Sequence, residues 1–185
     1  MKIIYIGGYT NKDNSHFQTY KELVQKHLDN NKKVIVIALA QDAGYFAPRI
    51  KELYKGEVLI LEDTHTEKVD WNSFDLIYIL GGNSKKLKEG LLKYEFDLNK
   101  LSRESTIICD SAGANMLAGY YIGKDTNGYT IEKGLNTASN TLILCHCDNQ
   151  DKTPLEKIGY AKEMATKNNY ELLLLNENQS FTIEL

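Results

Sequence analysis

Short, nearly unbroken apolar runs recur along this chain, separated by stretches with a helical repeat. Lys2–Ile6, Lys33–Ala40, Glu57–Leu61, Asp75–Leu80, Ser105–Cys109 and Thr141–Cys145 are rich in β-branched and aromatic residues and predict strands. Their lack of polar alternation fits parallel strands buried on both faces. Between them, His16–Asn30 places Phe17, Tyr20, Leu23, Val24 and Leu28 on one helical face. Pro48–Tyr54, Lys85–Leu92, Ala112–Tyr120 and Thr153–Asn168 also read as helices. The polar, glycine-containing stretch Tyr121–Asn140 predicts short strands and turns. Glu171–Leu175 and Ser180–Glu184 flank Asn176-Glu-Asn-Gln, which predicts a hairpin or tight turn. Alternating strands and helices imply an α/β fold of three layers, a mostly parallel sheet with helices on both faces. Neither proline marks a boundary, and no repeat or low-complexity linker divides the chain, so one domain over residues 1–185 is expected.

In such a sheet, ligands bind beyond the carboxyl ends of the strands. Three polar features fall there: Gly81-Gly82-Asn83, Asp110-Ser111-Ala112-Gly113 and His146. Their convergence from distant parts of the chain locates a candidate site. Ser111 follows an apolar run and precedes small residues, the layout of a nucleophile elbow. The usual first glycine of that motif is replaced by Cys109. His146 follows a strand and is placed to act as general base toward the serine hydroxyl. The backbone N–H groups of Ala112 and Gly82, beside Asn83, are candidate oxyanion donors. Asp125, Glu132 and Asp148 are all candidates for the acid that orients the histidine.

Composition narrows the partners. The 185 residues carry a net charge of −3, with 25 acidic and 22 basic side chains, and no basic stretch is interleaved with aromatics. Nucleic acid is therefore not an expected partner. Only Arg49 and Arg103 are arginines, so bidentate anion grips are scarce. The odd number of cysteines, Cys109, Cys145 and Cys147, without a signal-peptide or membrane-spanning run, leads to the expectation of a cytoplasmic protein with free thiols. Gly7-Gly8-Tyr9 and Gly81-Gly82-Asn83 both lack the spacing of a dinucleotide fingerprint, and no cofactor is expected. A metal held by Cys145-His146-Cys147-Asp148 is disfavoured, because alternate residues of an extended segment point opposite ways. Cys109 reads as core rather than as a rival nucleophile.

Taken together, Gly81-Gly82-Asn83, Ser111-Ala-Gly-Ala-Asn115, His146 and the tail Asn176-Glu-Asn-Gln-Ser-Phe-Thr-Ile-Glu resemble the serine peptidase family of dipeptidase E (aspartyl dipeptidase) and cyanophycinase. The resemblance runs from about Ile4 to Glu184. It implies a class I glutamine-amidotransferase-like fold with the elbow after a central strand. It also implies Ser111 as nucleophile, His146 as base, Gly82 and Ala112 as oxyanion donors, and Asp125 as the acid, with Glu132 as fallback. The implied substrates are small peptides with N-terminal aspartate, and Lys85, Lys86 or Lys124 could take the place of a substrate-binding arginine. An esterase or amidase on another acyl group, or a catalytically altered member that binds an acidic ligand or a partner, are the alternatives. The oligomeric state, monomer or homodimer, stays open.

Overall fold

A computed structural model of the protein describes residues 1–9, 14–27, 33–40, 54, 56–136 and 138–185. The expected helix at Pro48–Tyr54 lies, except for Tyr54, outside the described residues.

The strands are β1 (Lys2–Ile6), β2 (Val34–Ile37), β3 (Val58–Leu61), β4 (Leu76–Ile79), β5 (Thr106–Asp110), β6 (Tyr120–Asp125), β7 (Gly128–Lys133), β8 (Thr141–Leu144), β9 (Glu171–Leu174) and β10 (Ser180–Glu184). The α-helices are α1 (Asn14–Gln25), α2 (Ser84–Lys93), α3 (Ala112–Leu117) and α4 (Leu155–Asn168). Each expected strand is present to within a few residues. The elbow helix stops at Leu117 rather than Tyr120. The chain there turns past Ser139, whose carbonyl leaves no room for a side chain at Gly119, and Tyr120 begins β6.

Among the described residues these strands form two sheets. The larger has the order β10-β1-β5-β4-β2-β3, and the smaller β7-β6-β8-β9. Contacts from β1 through β3 are parallel, while β10 closes the β1 edge antiparallel, Lys2 facing Glu184 and Ile6 facing Ser180. That edge pairing bears on two points of the sequence reading. With β10 against β1, β8 pairs instead with β6 and β9 in a second sheet. Of the two expected alternatives, the segment Asn176–Gln179 is therefore the tight turn, with Gln179 N–H donating to Asn176 O at 3.1 Å, and not the tip of a hairpin between β9 and β10. It carries the chain from one sheet to the other.

The apolar runs lack alternation because both faces are covered. Ile3, Tyr5, Ile35, Ile37, Ile77, Ile79, Ile107 and Cys109 face one layer with Leu87 and Leu91 of α2 and Met116 of α3. Their neighbours Ile4, Ile6, Val34, Val36, Leu76, Tyr78 and Ile108 face the other, with Tyr20 and Val24 of α1. The period of two sends successive side chains to opposite layers. A third cluster packs Ala161 and Ala165 of α4 on Ile122, Leu142 and Leu144 of the smaller sheet. The larger sheet with helices on both faces is the three-layer α/β arrangement expected from the sequence. β5 lies centrally, between β1 and β4, and Asp110 and Ser111 at its carboxyl end line a cavity together with Tyr121 and Ile122 of β6 and Leu144 of β8.

Candidate active site

The end of β1 organises the site. Three consecutive carbonyls each receive an N–H from a different segment: Ile6 O from Ser111 N (3.0 Å), Gly7 O from His146 N (3.0 Å) and Gly8 O from Asn178 N (2.9 Å). Gly7 N–H in turn donates to Gln179 O at 3.0 Å. One strand end thus draws together the end of β5, the end of β8 and the β9–β10 crossover.

Ser111 sits between β5 and α3 with φ 47° and ψ −101°. This is a left-handed position where a non-glycine residue is strained, as at a nucleophile elbow. Its carbonyl accepts Asn115 N–H, which starts the helix at once. Close approach of α3 to the sheet requires Gly113, since a Cβ there would stand 2.5 Å from Ile79 O. Asn115 Nδ2 donates to Ser84 Oγ (3.1 Å), tying the elbow helix to α2.

Ser111 Oγ lies 2.9 Å from His146 Nε2. On the other side of the ring, Nδ1 lies 2.8 Å from Glu177 Oε1. The side chain of Glu177 is only 2% exposed, and its Oε1 also accepts Asn149 Nδ2 at 2.8 Å. A buried carboxylate at Nδ1 favours the tautomer with hydrogen on Nδ1, leaving Nε2 free to accept the serine proton. Burial lowers the His146 pKa below its ordinary value, while the hydrogen bond and charge of Glu177 work against that. The imidazole is thus neutral near pH 7, the form a general base needs. His146 itself has φ 57°. Gly8, at φ 92°, packs against the pair, and a Cβ there would stand 2.5 Å from His146 Nε2 and 3.1 Å from Ser111 Cβ.

The acid is where the sequence reading departs most from the geometry. Asp125 is exposed at the β6–β7 turn, where it accepts Asn127 N–H at 2.7 Å. Glu132 lies on β7 and accepts Thr130 Oγ1–H at 3.2 Å. Asp148 accepts the backbone N–H of Glu177 at 2.7 Å and so supports the residue that reaches the imidazole. Of the three expected candidates, Asp125 and Glu132 lie between Ser111 and His146 and Asp148 just after the histidine, whereas Glu177 comes 31 residues after it. A visible signal was a glutamate inside a tight turn beyond a strand end, within a motif already noted as part of the family tail.

The other expected residues divide. Gly82, at φ 133°, lines the cavity beside Ser111. Ala112 is buried as the first residue of α3. Asn83 also lines the cavity, but its side chain caps α2 by accepting Lys86 N–H at 3.0 Å. Cys109 is fully buried, its thiol directed at Ile4 O, and burial pushes its pKa up, as expected of a core residue. Cys145 is buried beneath the site, 3.8 Å from Ser111 O. Among the described residues no group of three or more His, Cys, Asp or Glu side chains is arranged to hold a metal ion. No described helix is long and apolar enough to cross a membrane.

The cavity above Ser111 encloses about 980 Å³. Tyr9, Tyr121 and Asn115 line it, with Lys85, Lys124 and Lys157. Lys86 instead pairs with Asp63 at 3.0 Å, away from the cavity. Lys157 is half-buried, and burial lowers its pKa. Tyr121 lines the cavity, while Tyr120 stacks on Tyr170 and Tyr129 packs near Tyr160.

Residues 3–184 match the sequence profile of Peptidase family S51. The chain belongs to Peptidase family S51. It is a serine-type peptidase with the class I glutamine-amidotransferase-like fold of that family. No curated protein sequence matches this S51 chain. Among solved structures it is similar to one described as the crystal structure of a peptidase from an acI-B1 Actinobacterium. The TM-score is 0.55 at 14% identity, over 99% of this chain and 83% of the other. At that identity the likeness speaks for the fold.

Proposed function

We propose that this S51 peptidase hydrolyses small peptides with N-terminal aspartate inside the cell, through a Ser111–His146–Glu177 triad. One observation carries the reading: a serine on a strained elbow, an imidazole 2.9 Å away, and a buried carboxylate 2.8 Å beyond it, in line. Ser111 Oγ attacks the scissile carbonyl carbon and its proton passes to His146 Nε2. Glu177 holds the imidazolium that forms. The tetrahedral oxyanion is met by backbone N–H groups of Ala112 and Gly82. Ala112 opens a helix, so its N–H has no partner within that helix. Collapse breaks the C–N bond. The leaving amine takes the proton from His146, and water releases the acyl group by the same route.

The lysines around the cavity support an acidic substrate. Lys85, Lys124 and Lys157 face the space above Ser111, and Lys157 is half-buried, where a carboxylate partner offsets the cost of desolvating the ammonium. The intracellular setting is supported by three free cysteines, Cys109, Cys145 and Cys147.

The test is release of free aspartate from a panel of Asp-X dipeptides, with other dipeptides and Ser111→Ala as controls. Release that Ser111→Ala abolishes, in a variant with unchanged circular dichroism, is the expected result. Turnover of non-aspartyl peptides alone would overturn the substrate assignment. Equal activity in Ser111→Ala would overturn the mechanism.

A further inference from the structure

Asp110 immediately precedes Ser111, yet the catalytic steps above do not use it. It is only 5% exposed. β4 and β5 run parallel with Ile79 facing Cys109, which brings Gly81 beside Asp110 and Ser111. Gly81 N–H hydrogen-bonds the Asp110 carboxyl. A Cβ at Gly81 would lie 3.3 Å from Asp110 Oδ2 and 3.1 Å from Ser111 Cβ. Oδ2 also accepts Tyr20 OH at 3.1 Å, and Tyr20 is hydrogen-bonded to Tyr78. Oδ1 is buried without a hydrogen-bond partner.

A carboxyl placed this way is expensive. An ionised oxygen with no partner is a costly thing to bury. Desolvation raises the Asp110 pKa to about 7, opposed by the hydrogen bonds from Tyr20 and Gly81 and assisted by the charge of Glu177. The other titratable groups around it are Tyr20 of α1, Tyr78 of β4, Cys109 of β5 and Cys145 beyond β8. Burial raises the pKa of all four, so they stay neutral, and neither a phenol nor a thiol offers a positive charge to the carboxylate. Among the described residues, the hydrogen bonds from Tyr20 and Gly81 offset part of that cost, and Oδ1 has no partner. What the placement does supply is an acceptor aimed at the turn that carries Gly82.

We propose that Asp110 is a positioning residue, which holds the Gly81–Gly82 turn through Gly81 N–H and so sets where the Gly82 amide meets the oxyanion. The proposal rests on the assignment of Gly82 as an oxyanion donor. It differs from a packing role because what matters is the acceptor. Asparagine, of nearly the same shape, supplies one and cannot ionise, whereas alanine supplies none.

Two measurements on the full-length protein decide it. In steady-state kinetics, Asp110→Ala is expected to lower kcat about tenfold to a hundredfold, short of the 10²–10³ that follows outright loss of an oxyanion donor. KM should stay within about threefold, because an interaction made only in the transition state is being lost. Asp110→Asn should recover most of the lost kcat. By NMR, the Gly81 amide should titrate near pH 7 in the wild type and not in Asp110→Asn. The Asn variant should also melt higher than the wild type at pH 8. A raised carboxyl pKa means the folded state binds more protons than the unfolded chain, so the wild type loses stability as pH rises from about 4 to 7. An Asp110→Ala variant with wild-type kcat, an Asn variant as slow as Ala, or a Gly81 amide that does not titrate would each overturn the proposal. Wild-type protein that hydrolyses no peptide would instead sink the proposed function, and the Gly81 titration would still decide whether Asp110 holds the turn.

Discussion

Glu177 reaches His146 from the crossover between the two sheets, its Oε1 2.8 Å from the imidazole Nδ1, while the backbone N–H of the same glutamate is held by Asp148. Two of the carboxylates near the histidine thus act in series: one orients the ring and the other fixes the turn that carries the first.

Replacement of Glu177 separates it from Asp125. Glu177→Ala is expected to lower kcat by about 10⁴, the loss typical of a triad acid. Asp125→Asn, at an exposed turn remote from the imidazole in the hydrogen-bond network, should change kcat by less than about twofold. Kinetics on one aspartyl dipeptide suffice, and the reverse ranking would return the role to Asp125.

The pH profile follows from the forces on His146. Burial lowers its pKa, and Glu177 opposes this through its hydrogen bond and its charge. The base works as the neutral imidazole, so kcat/KM should rise with pH through a midpoint below 6.5. In Glu177→Gln the opposing charge is gone, and the midpoint of the residual activity should move further down. Lys152 also lowers the His146 pKa, so Lys152→Gln should move the midpoint up. The linked stability has the same sign. An imidazole held neutral binds fewer protons than in the unfolded chain, so its contribution is complete above about 6.5 and is lost as pH falls through the lowered value.

Gly8 is expected to tolerate no side chain. Its φ of 92° is strained for any other residue, and a Cβ would press on the imidazole. Gly8→Ala should lower kcat at least about a hundredfold, the cost of displacing a reacting group by roughly 1 Å. Thermal melting should show a loss of stability as well. Wild-type activity in this variant would mean that His146 moves freely away from its observed place.

Lys157 offers the clearest check on substrate charge. A charge-assisted hydrogen bond contributes about 1.5–3 kcal/mol, so Lys157→Gln should raise KM for aspartyl dipeptides about ten- to a hundredfold. Lys86→Gln, which breaks only the outward pair with Asp63, serves as the control. A KM for Lys157→Gln equal to the wild type would move recognition to Lys85 or Lys124.

Most of the architecture was legible in the chain alone, because strands, helix faces and the elbow rest on local pattern. Ile4 and Tyr5 face opposite layers by the geometry of any strand, and Gly113 follows from the close packing an elbow needs. Ser111 and His146 could be found because each follows an apolar run, and strand ends converge in a parallel sheet. Tertiary structure alone decided what depends on pairing between distant segments. The antiparallel docking of β10 on β1 leaves β8 and β9 in a second sheet and decides, between the expected hairpin and tight turn, for a tight turn that crosses from sheet to sheet. That crossover delivers Glu177 to His146, just as the β4–β5 register delivers Gly81 to Asp110. A carboxylate carries no local mark of the partner it will meet. Which acid orients the histidine is set by hydrogen bonds between strands far apart in sequence, and no periodicity in the chain encodes them.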